Sequence, residues 1–407
     1  MDSTRLWAYA ESVTDNGQAL TRRFWTGAIL LAVVLSGLGL QMRGAVVPEL
    51  EIEFVVGKDL LGFVGPAGTL GYVLSIAVVG AIAGRLHLVR WYTVGLAVTT
   101  LSIAGLGLAP TLLTFLAVLV VRGLGDGIIR GLDRPILSHL YPDDRGRAFG
   151  IYDLAWAVGS AAGPLVMTGA IALGDWRLAY FGLAAALVPL VAFVWRLDLP
   201  FEAGREAILD REALGELFRT SEIVAMALAM FFHTGLEGGL FLWLPTFGIE
   251  AAGLSQSNAN LLLSTFTIAY VPGRLIATAI VERYDYSLLL VGIELLLVPT
   301  FFASFFVVGG VATFPMVFAL GMLVSGVYPL LVAFGTDAAP EYSAPINAIA
   351  AVSSSISFAL VPMAMGFVAE AQGIRPAMWI PLALTVGVLP TILAARRSIS
   401  IRDGVGT

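Results

Sequence analysis

The chain has 407 residues, of which 58% are hydrophobic and only 13% are charged, and its mean hydropathy is +0.88. Soluble domains carry about a quarter charged residues, so this composition excludes an ordinary soluble fold. The chain has no cysteine, no HExxH pair and no GxxxxGK[ST] loop, which excludes disulfides and thiol catalysis and argues against a zinc site or a P-loop ATPase.

Apolar runs of about 20 residues, long enough to cross roughly 30 Å of hydrocarbon as a helix, recur along the chain. They predict an all-α integral membrane protein with twelve transmembrane helices. The predicted spans are 24–47, 60–83, 91–109, 111–131, 147–172, 178–196, 222–247, 257–281, 287–308, 312–336, 345–369 and 376–395.

A long polar segment with alternating charges, residues 198–220, follows the sixth span. This charge pattern predicts a cytoplasmic linker between two halves, 1–197 and 221–407. Three landmark pairs have the same separation in sequence: Pro164 and Pro362, Arg177 and Arg375, and Arg85 and Arg283. The repeat predicts two pseudo-repeated six-helix bundles, a 6+6 arrangement typical of transporters.

Most of the 23 lysine and arginine residues fall in segments on the same side of the membrane as the N-terminus. Positive charge concentrates on the cytoplasmic side of membrane proteins. We therefore expect a multi-pass protein of the cell membrane with both termini in the cytoplasm.

The fourth span carries three charges, Arg122, Asp126 and Arg130, spaced so that one helix face presents all three. An ionisable side chain at the centre of a membrane helix costs roughly 2.5–3.5 kcal/mol. Pairing of opposite charges offsets part of this cost, but the trio has one arginine in excess. We expect the free guanidinium to serve an anionic ligand.

Further charged residues interrupt other spans. His233 and Glu237 lie one turn apart in the seventh span, where they form either a proton-coupling site or a structural hydrogen-bonded pair. Arg43 in the first span could equally bind a ligand or extend its head group to the interface. Arg274 in the eighth span could contact substrate or a gate, and Asp153 in the fifth span suits a gate.

Several motifs resemble the major facilitator superfamily over essentially the whole chain. The segment Gly80-Ala-Ile-Ala-Gly-Arg85 resembles the family's G-x-L-A-D-R loop, with Gly84 in place of the acid, and Glu282-Arg283 is the second copy. Arg122 with its following glycines resembles the helix-four arginine motif. Gly150, Gly159 and Gly163-Pro164 resemble the helix-five antiporter motif.

The resemblance implies a secondary transporter in which helices one, four, seven and ten line a central cavity, with Arg122 opposite Glu237. The residues expected to bind substrate or ion are Arg122, Asp126, Glu237, His233, Arg43 and Arg274. The expected gating residues are Arg85, Arg130, Asp153, Glu282 and Arg283. The residues expected to pack helices are Gly150, Gly159, Gly163 and Pro164.

A different class of protein shares some of these residues. Gly123-Leu-Gly-Asp126 and Tyr152-Asp153 match the two motifs of intramembrane aspartyl proteases, whose carboxylates share a proton. The motifs stand in the reverse order, and the arginines beside Asp126 would keep it ionised. We therefore expect no catalytic residue.

We expect alternating access with the proton as coupling ion, and the arginines favour a small organic anion as substrate. A neutral sugar or an exported amphipathic drug remains the alternative. The expected partners are the lipid bilayer and a small-molecule substrate, with no cofactor, metal or nucleic acid.

Overall fold

The computed structural model describes residues 3–82, 87–199, 220–281, 283–339 and 342–405. Twelve helices in these residues are long and apolar enough to cross a membrane, which confirms the predicted all-α membrane architecture. They are α1 (Ser3–Phe54), α2 (Val64–Ile82), α3 (Leu88–Gly107), α4 (Leu112–Leu140), α5 (Arg145–Ala172), α6 (Arg177–Val194), α7 (Ser221–Glu250), α8 (Gln256–Ile268, continued as Tyr270–Val281), α9 (Tyr286–Phe302), α10 (Thr313–Ala338), α11 (Ser343–Gln372) and α12 (Trp379–Val405).

The same helix pairings occur in both halves of the chain. Helix α1 packs on α5, α2 on α4, and α3 on α6, and the corresponding pairs α7–α11, α8–α10 and α9–α12 pack in the C-terminal half. This correspondence is the structural form of the 6+6 repeat. Most of the predicted linker (200–219) and the predicted gating residues Arg85 and Glu282 lie outside the described residues.

Helix α4 is longer than the sequence predicts. The predicted end at residue 131 is wrong, because the helix continues to Leu140 and includes Asp133. The Asp133 carboxylate is fully buried and accepts hydrogen bonds from the hydroxyl groups of Tyr92 at 2.8 Å and Tyr152 at 2.7 Å. Since two donors from neighbouring helices satisfy this carboxylate, its burial costs much less than that of an unpaired charge.

Small residues let α1 and α5 pack with their backbones in close contact. A Cβ at Gly159 would overlap the Val34 carbonyl group, and one at Gly163 would overlap that of Leu38. Pro164 lies inside the same helix and is buried. Gly150 differs from the expectation: nothing lies within 4 Å of its Cβ position, so it packs no neighbouring helix.

Three pairs of long helices join the two halves in the described residues, α1 with α7, α2 with α11, and α5 with α8, and the short helix Lys58–Leu61 also packs on α11. Each pair joins one helix of the N-terminal half to one of the C-terminal half. Side chains on these helices therefore lie at the interface where a transporter of two rocking halves would bind its substrate.

The contrast between Gly159 and Gly150 gives a matched stability test. We expect Gly159→Ala to lower the free energy of unfolding by about 1–3 kcal/mol, because the added methyl group overlaps α1. Gly150→Ala should leave stability unchanged or raise it by about 0.5–1 kcal/mol, since alanine favours the helix. Thermal unfolding of the two purified variants in detergent measures the difference, and equal melting temperatures would contradict this packing.

Candidate functional site

The charged residues predicted for a central site form two groups, one in each half. Arg43, Arg122 and Asp126 lie on α1 and α4, while His233, Glu237 and Arg274 lie on α7 and α8. In each group one arginine, Arg43 or Arg274, is partly exposed, whereas Arg122, His233 and Glu237 are buried.

Arg122 is held inside the N-terminal half. It is 2% exposed, its Nη1 donates to the Gly39 carbonyl oxygen at 3.0 Å, and its Nη2 lies 3.4 Å from the Asp126 Oδ2. Its Nε makes no hydrogen bond with a described residue. The sequence suggested a guanidinium open to substrate, but the structure encloses this one between α1 and α4.

Arg43 is more accessible than Arg122. Its side chain is partly exposed, its Nε donates to the Leu40 carbonyl oxygen at 3.4 Å, and its Nη1 lies against Gly68 of α2. Among the described residues no carboxylate lies within the 4.0 Å that defines an ion pair with Arg43. Arg43 therefore presents a positive charge without a direct anionic partner.

Arg130 belongs to a different network from Asp126. Its Nη1 hydrogen-bonds to the Tyr152 hydroxyl group, which itself donates to Asp133, and its Nη2 lies 3.5 Å from Ser36. Arg130 therefore connects α4 to α5 through Tyr152 and to α1 through Ser36. Sequence reasoning missed Asp133 because it placed that residue in a loop.

The C-terminal group centres on Glu237, which is 9% exposed. Its Oε1 accepts a hydrogen bond from the Tyr270 hydroxyl group at 2.7 Å. The His233 Nε2 lies 3.9 Å from the other carboxylate oxygen, too far for a hydrogen bond. Tyr270, not His233, is therefore the hydrogen-bond partner of Glu237.

Arg274 crosses between the halves. Its Nη1 donates to the backbone carbonyl oxygen of Asp153 on α5 at 3.2 Å, and its Nε makes no hydrogen bond with a described residue. The Asp153 carboxylate pairs instead with Arg134 at 3.5 Å. Within the described part of the chain, Arg274 has no carboxylate at ion-pair distance.

A group of aromatic rings, which we call the aromatic cluster, lies beside these charges. Its five members come from four helices of both halves: Trp156, Phe241, Phe266, Tyr270 and Phe358. Trp156 and Phe358 are partly exposed, whereas the other three are buried. The apolar residues Phe241 and Phe358 could not be distinguished in sequence from ordinary core.

The halves are joined at one end around Lys58, which we call the Lys58 end. The Lys58 Nζ lies 2.9 Å from Glu51 of its own half and 2.9 Å from Glu250 of the other. Gln256 also donates to Glu49 across the interface at 2.8 Å. The predicted gate residue Arg283 is exposed and pairs with none of the described carboxylates.

Residues 29–347 match the sequence model of the Major Facilitator Superfamily. The chain belongs to this family. Its fold and membership make it a twelve-helix secondary transporter. Asp126 and Asp153, the two carboxylates of the aspartyl protease alternative, each lie at ion-pair distance from a different arginine, Arg122 and Arg134.

The transporter resembles several named relatives in sequence. It is 23% identical over 327 residues to the MFS-type transporter YfkL of Bacillus subtilis (strain 168), covering 77% of this chain and 81% of that protein. It is 22% identical to the putative niacin/nicotinamide transporter NiaP of the same strain, over 65% of this chain and 68% of NiaP. It is 28% identical to the multidrug resistance protein Stp of Mycobacterium tuberculosis (strain ATCC 25618 / H37Rv), over 53% of this chain and only 40% of Stp.

Solved structures share the fold at lower identity. A bacterial homolog of the human lysosomal transporter Spinster, in an inward-facing and unoccupied conformation, matches with a TM-score of 0.79 at 16% identity, over 93% of this chain and 97% of that one. The nucleoside transporter NupG matches with a TM-score of 0.73 at 15% identity, over 93% and 98%. Both likenesses concern the fold alone.

The absence of native cysteine allows a direct test of the Lys58 end. With Glu49 and Gln256 both replaced by cysteine, we expect a short bifunctional maleimide to cross-link the two halves, since these side chains are hydrogen-bonded. Adding Lys58→Met should slow the cross-linking, because it removes the Lys58–Glu250 ion pair between the halves. Mass spectrometry of the linked peptides measures the yield, and the single-cysteine variants are the controls. A cross-linking yield unaffected by Lys58→Met would show that the Lys58 ion pair does not hold the two halves together at this end.

Proposed function

We propose that this transporter moves a small organic anion together with a proton by alternating access. The observation that supports an anion is the presence of a partly exposed arginine in each half, Arg43 and Arg274, without a described carboxylate at ion-pair distance. A charge inside a membrane protein must be paired, solvated or kept for a ligand. An anion bound beside either guanidinium group would compensate its charge.

The proton site we propose is Glu237. An ionised carboxylate there would compete with an anionic substrate for the positive charge of Arg274, which lies next to Tyr270, the hydrogen-bond donor to Glu237. A proton on Glu237 removes this competition. The anion and the proton would then bind together, and a proton gradient would drive accumulation of the anion.

The remaining predicted residues take supporting roles in this proposal. Arg122 connects α4 to α1 and so positions Arg43, Asp126 pairs with Arg122 within α4, and the nearly inaccessible His233 packs beside Glu237. Arg130 and Asp153 belong to the gate at the end opposite Lys58. Arg85, Glu282 and Arg283 complete that gate in the proposal.

We further propose that the Lys58 end faces outward from the cell membrane and that both termini are cytoplasmic. The excess of arginine at the other end supports this orientation. An ion pair and a hydrogen bond close the Lys58 end across the interface, so this conformation would open toward the cytoplasm. The structure of the Spinster homolog, which has a similar fold, is also in an inward-facing conformation.

Export of an amphipathic drug is the second candidate function. The aromatic cluster at the interface favours it, and two relatives are named as multidrug proteins, Stp and the Staphylococcus aureus (strain N315) pump SdrM. A thermal-shift screen of purified protein against organic anions, sugars and lipophilic cations separates the candidates, because a bound ligand raises stability by mass action. Stabilisation by cations alone would overturn the anion proposal.

Labelling of single cysteines tests the orientation. In intact cells, a membrane-impermeant maleimide should modify Asp59→Cys at the Lys58 end but not Asp144→Cys at the opposite end. After the cells are permeabilised, both should react. Immediate labelling of Asp144→Cys would reverse the proposed orientation.

Replacement of Glu237 tests the coupling. Glu237→Gln should abolish accumulation driven by a pH gradient in proteoliposomes, because the amide of glutamine cannot take up and release a proton as a carboxylate does. Exchange of labelled for unlabelled anion should persist, since exchange needs no net proton movement. Glu294→Gln is the matched control, because Glu294 is a buried glutamate of α9, away from the interface. Normal accumulation by Glu237→Gln would place the proton site elsewhere.

A further inference from the structure

The aromatic cluster and Arg274 form one continuous surface at the interface between the halves. The Arg274 guanidinium carbon lies 6.0 Å from the ring centre of Trp156 and 5.8 Å from that of Tyr270. These two rings are themselves 6.4 Å apart, and they come from opposite halves. Because Arg274 and Trp156 are both partly exposed, a single small ligand can contact the positive charge and the Trp156 ring together.

The geometry points to a planar aromatic carboxylate as the substrate, with its carboxylate at Arg274 and its ring against Trp156. This inference rests on the proposed anion transport and narrows it to one chemical class. The ring would complete the aromatic cluster, and the carboxylate would supply the anionic partner that Arg274 lacks.

The hydrogen bonding of Arg274 supports the position of the carboxylate. A guanidinium has five N–H donors. The only hydrogen-bond acceptor that the structure gives this side chain among the described residues is the backbone carbonyl oxygen of Asp153, which is neutral. The Nε remains without a hydrogen bond although it is buried. A planar carboxylate matches the fork of a guanidinium and would bind it by two charge-assisted hydrogen bonds.

The exposure of the rings supports the position of the ligand's ring. Trp156 and Phe358 both pack on Phe241, with ring centres 6.2 Å and 6.0 Å away, and both remain partly exposed. They approach Phe241 from different halves of the chain. Aromatic rings gain from tilted or edge contacts with one another beyond simple burial of apolar area. An aliphatic ring would fill the same space without this gain.

A set of matched probes separates charge from aromaticity. Binding of benzoate, cyclohexanecarboxylate, benzamide and acetate to the purified full-length protein is measured by calorimetry in detergent. Benzoate should bind about threefold to tenfold more tightly than cyclohexanecarboxylate, the range of aromatic pair energies. Benzamide keeps the ring but loses the charge, and acetate keeps the charge but loses the ring, so both should bind more weakly than benzoate.

Variants assign the two contacts to their residues. Arg274→Gln should weaken benzoate binding at least about tenfold, the effect of losing charge-assisted hydrogen bonds. Trp156→Leu should remove the preference for benzoate over cyclohexanecarboxylate, whereas Trp156→Phe should keep it. Trp195→Leu is the control, because Trp195 is exposed at the end of α6 and has no ring partner in the described residues.

The results distinguish failure of this inference from failure of the anion proposal. Equal affinities for benzoate and cyclohexanecarboxylate would overturn the aromatic class while leaving an anion site in place. Benzamide binding as tightly as benzoate would overturn the role of Arg274. If no carboxylate binds, while a neutral or cationic compound does, both proposals are wrong. If Trp156→Leu does not fold, the Trp156→Phe variant and the four probes on the native protein still test the aromatic preference.

Discussion

The free-energy cost of placing a guanidinium inside a membrane protein determines which of the central arginines are paired within the protein and which a ligand can reach. Arg122 meets this cost with Asp126 and a backbone carbonyl group, and its enclosure between α1 and α4 leaves it inaccessible. Arg43 and Arg274 have no such carboxylate among the described residues and remain partly exposed. The charges that a ligand can reach are therefore those whose compensation is incomplete.

Close helix packing brings part of the candidate site to the interface between the halves. Because glycine at 159 and 163 lets α5 lie directly on α1, side chains of α5 at other faces extend toward the C-terminal half. Trp156 and the Asp153 carbonyl group reach α7 and α8 in this way. The antiporter-like glycines thus act on the site through the position of their helix.

The sequence predicted the helices well because hydropathy and length are local properties. It placed the end of α4 too early, because the burial of Asp133 depends on Tyr92 and Tyr152, which are distant in sequence. It could not distinguish Gly150 from Gly159, since both suit a glycine motif and only the neighbouring helix differs. The phenylalanines of the aromatic cluster were likewise hidden, because ordinary apolar residues from three helices meet only after folding. Charged residues in apolar spans were easy to find, but their partners were not.

The proposed ligand would act on both halves at once. Arg43 belongs to the N-terminal half and Arg274 to the C-terminal half, and like charges on two halves resist closure of the interface between them. An anion between the halves removes part of this repulsion, while Arg274 can keep its hydrogen bond to Asp153 through a separate nitrogen. A proton on Glu237 removes the remaining local competition for Arg274. Closure around the ligand would then be favoured when anion and proton are both bound and disfavoured when only one of them is bound, which coupled transport requires.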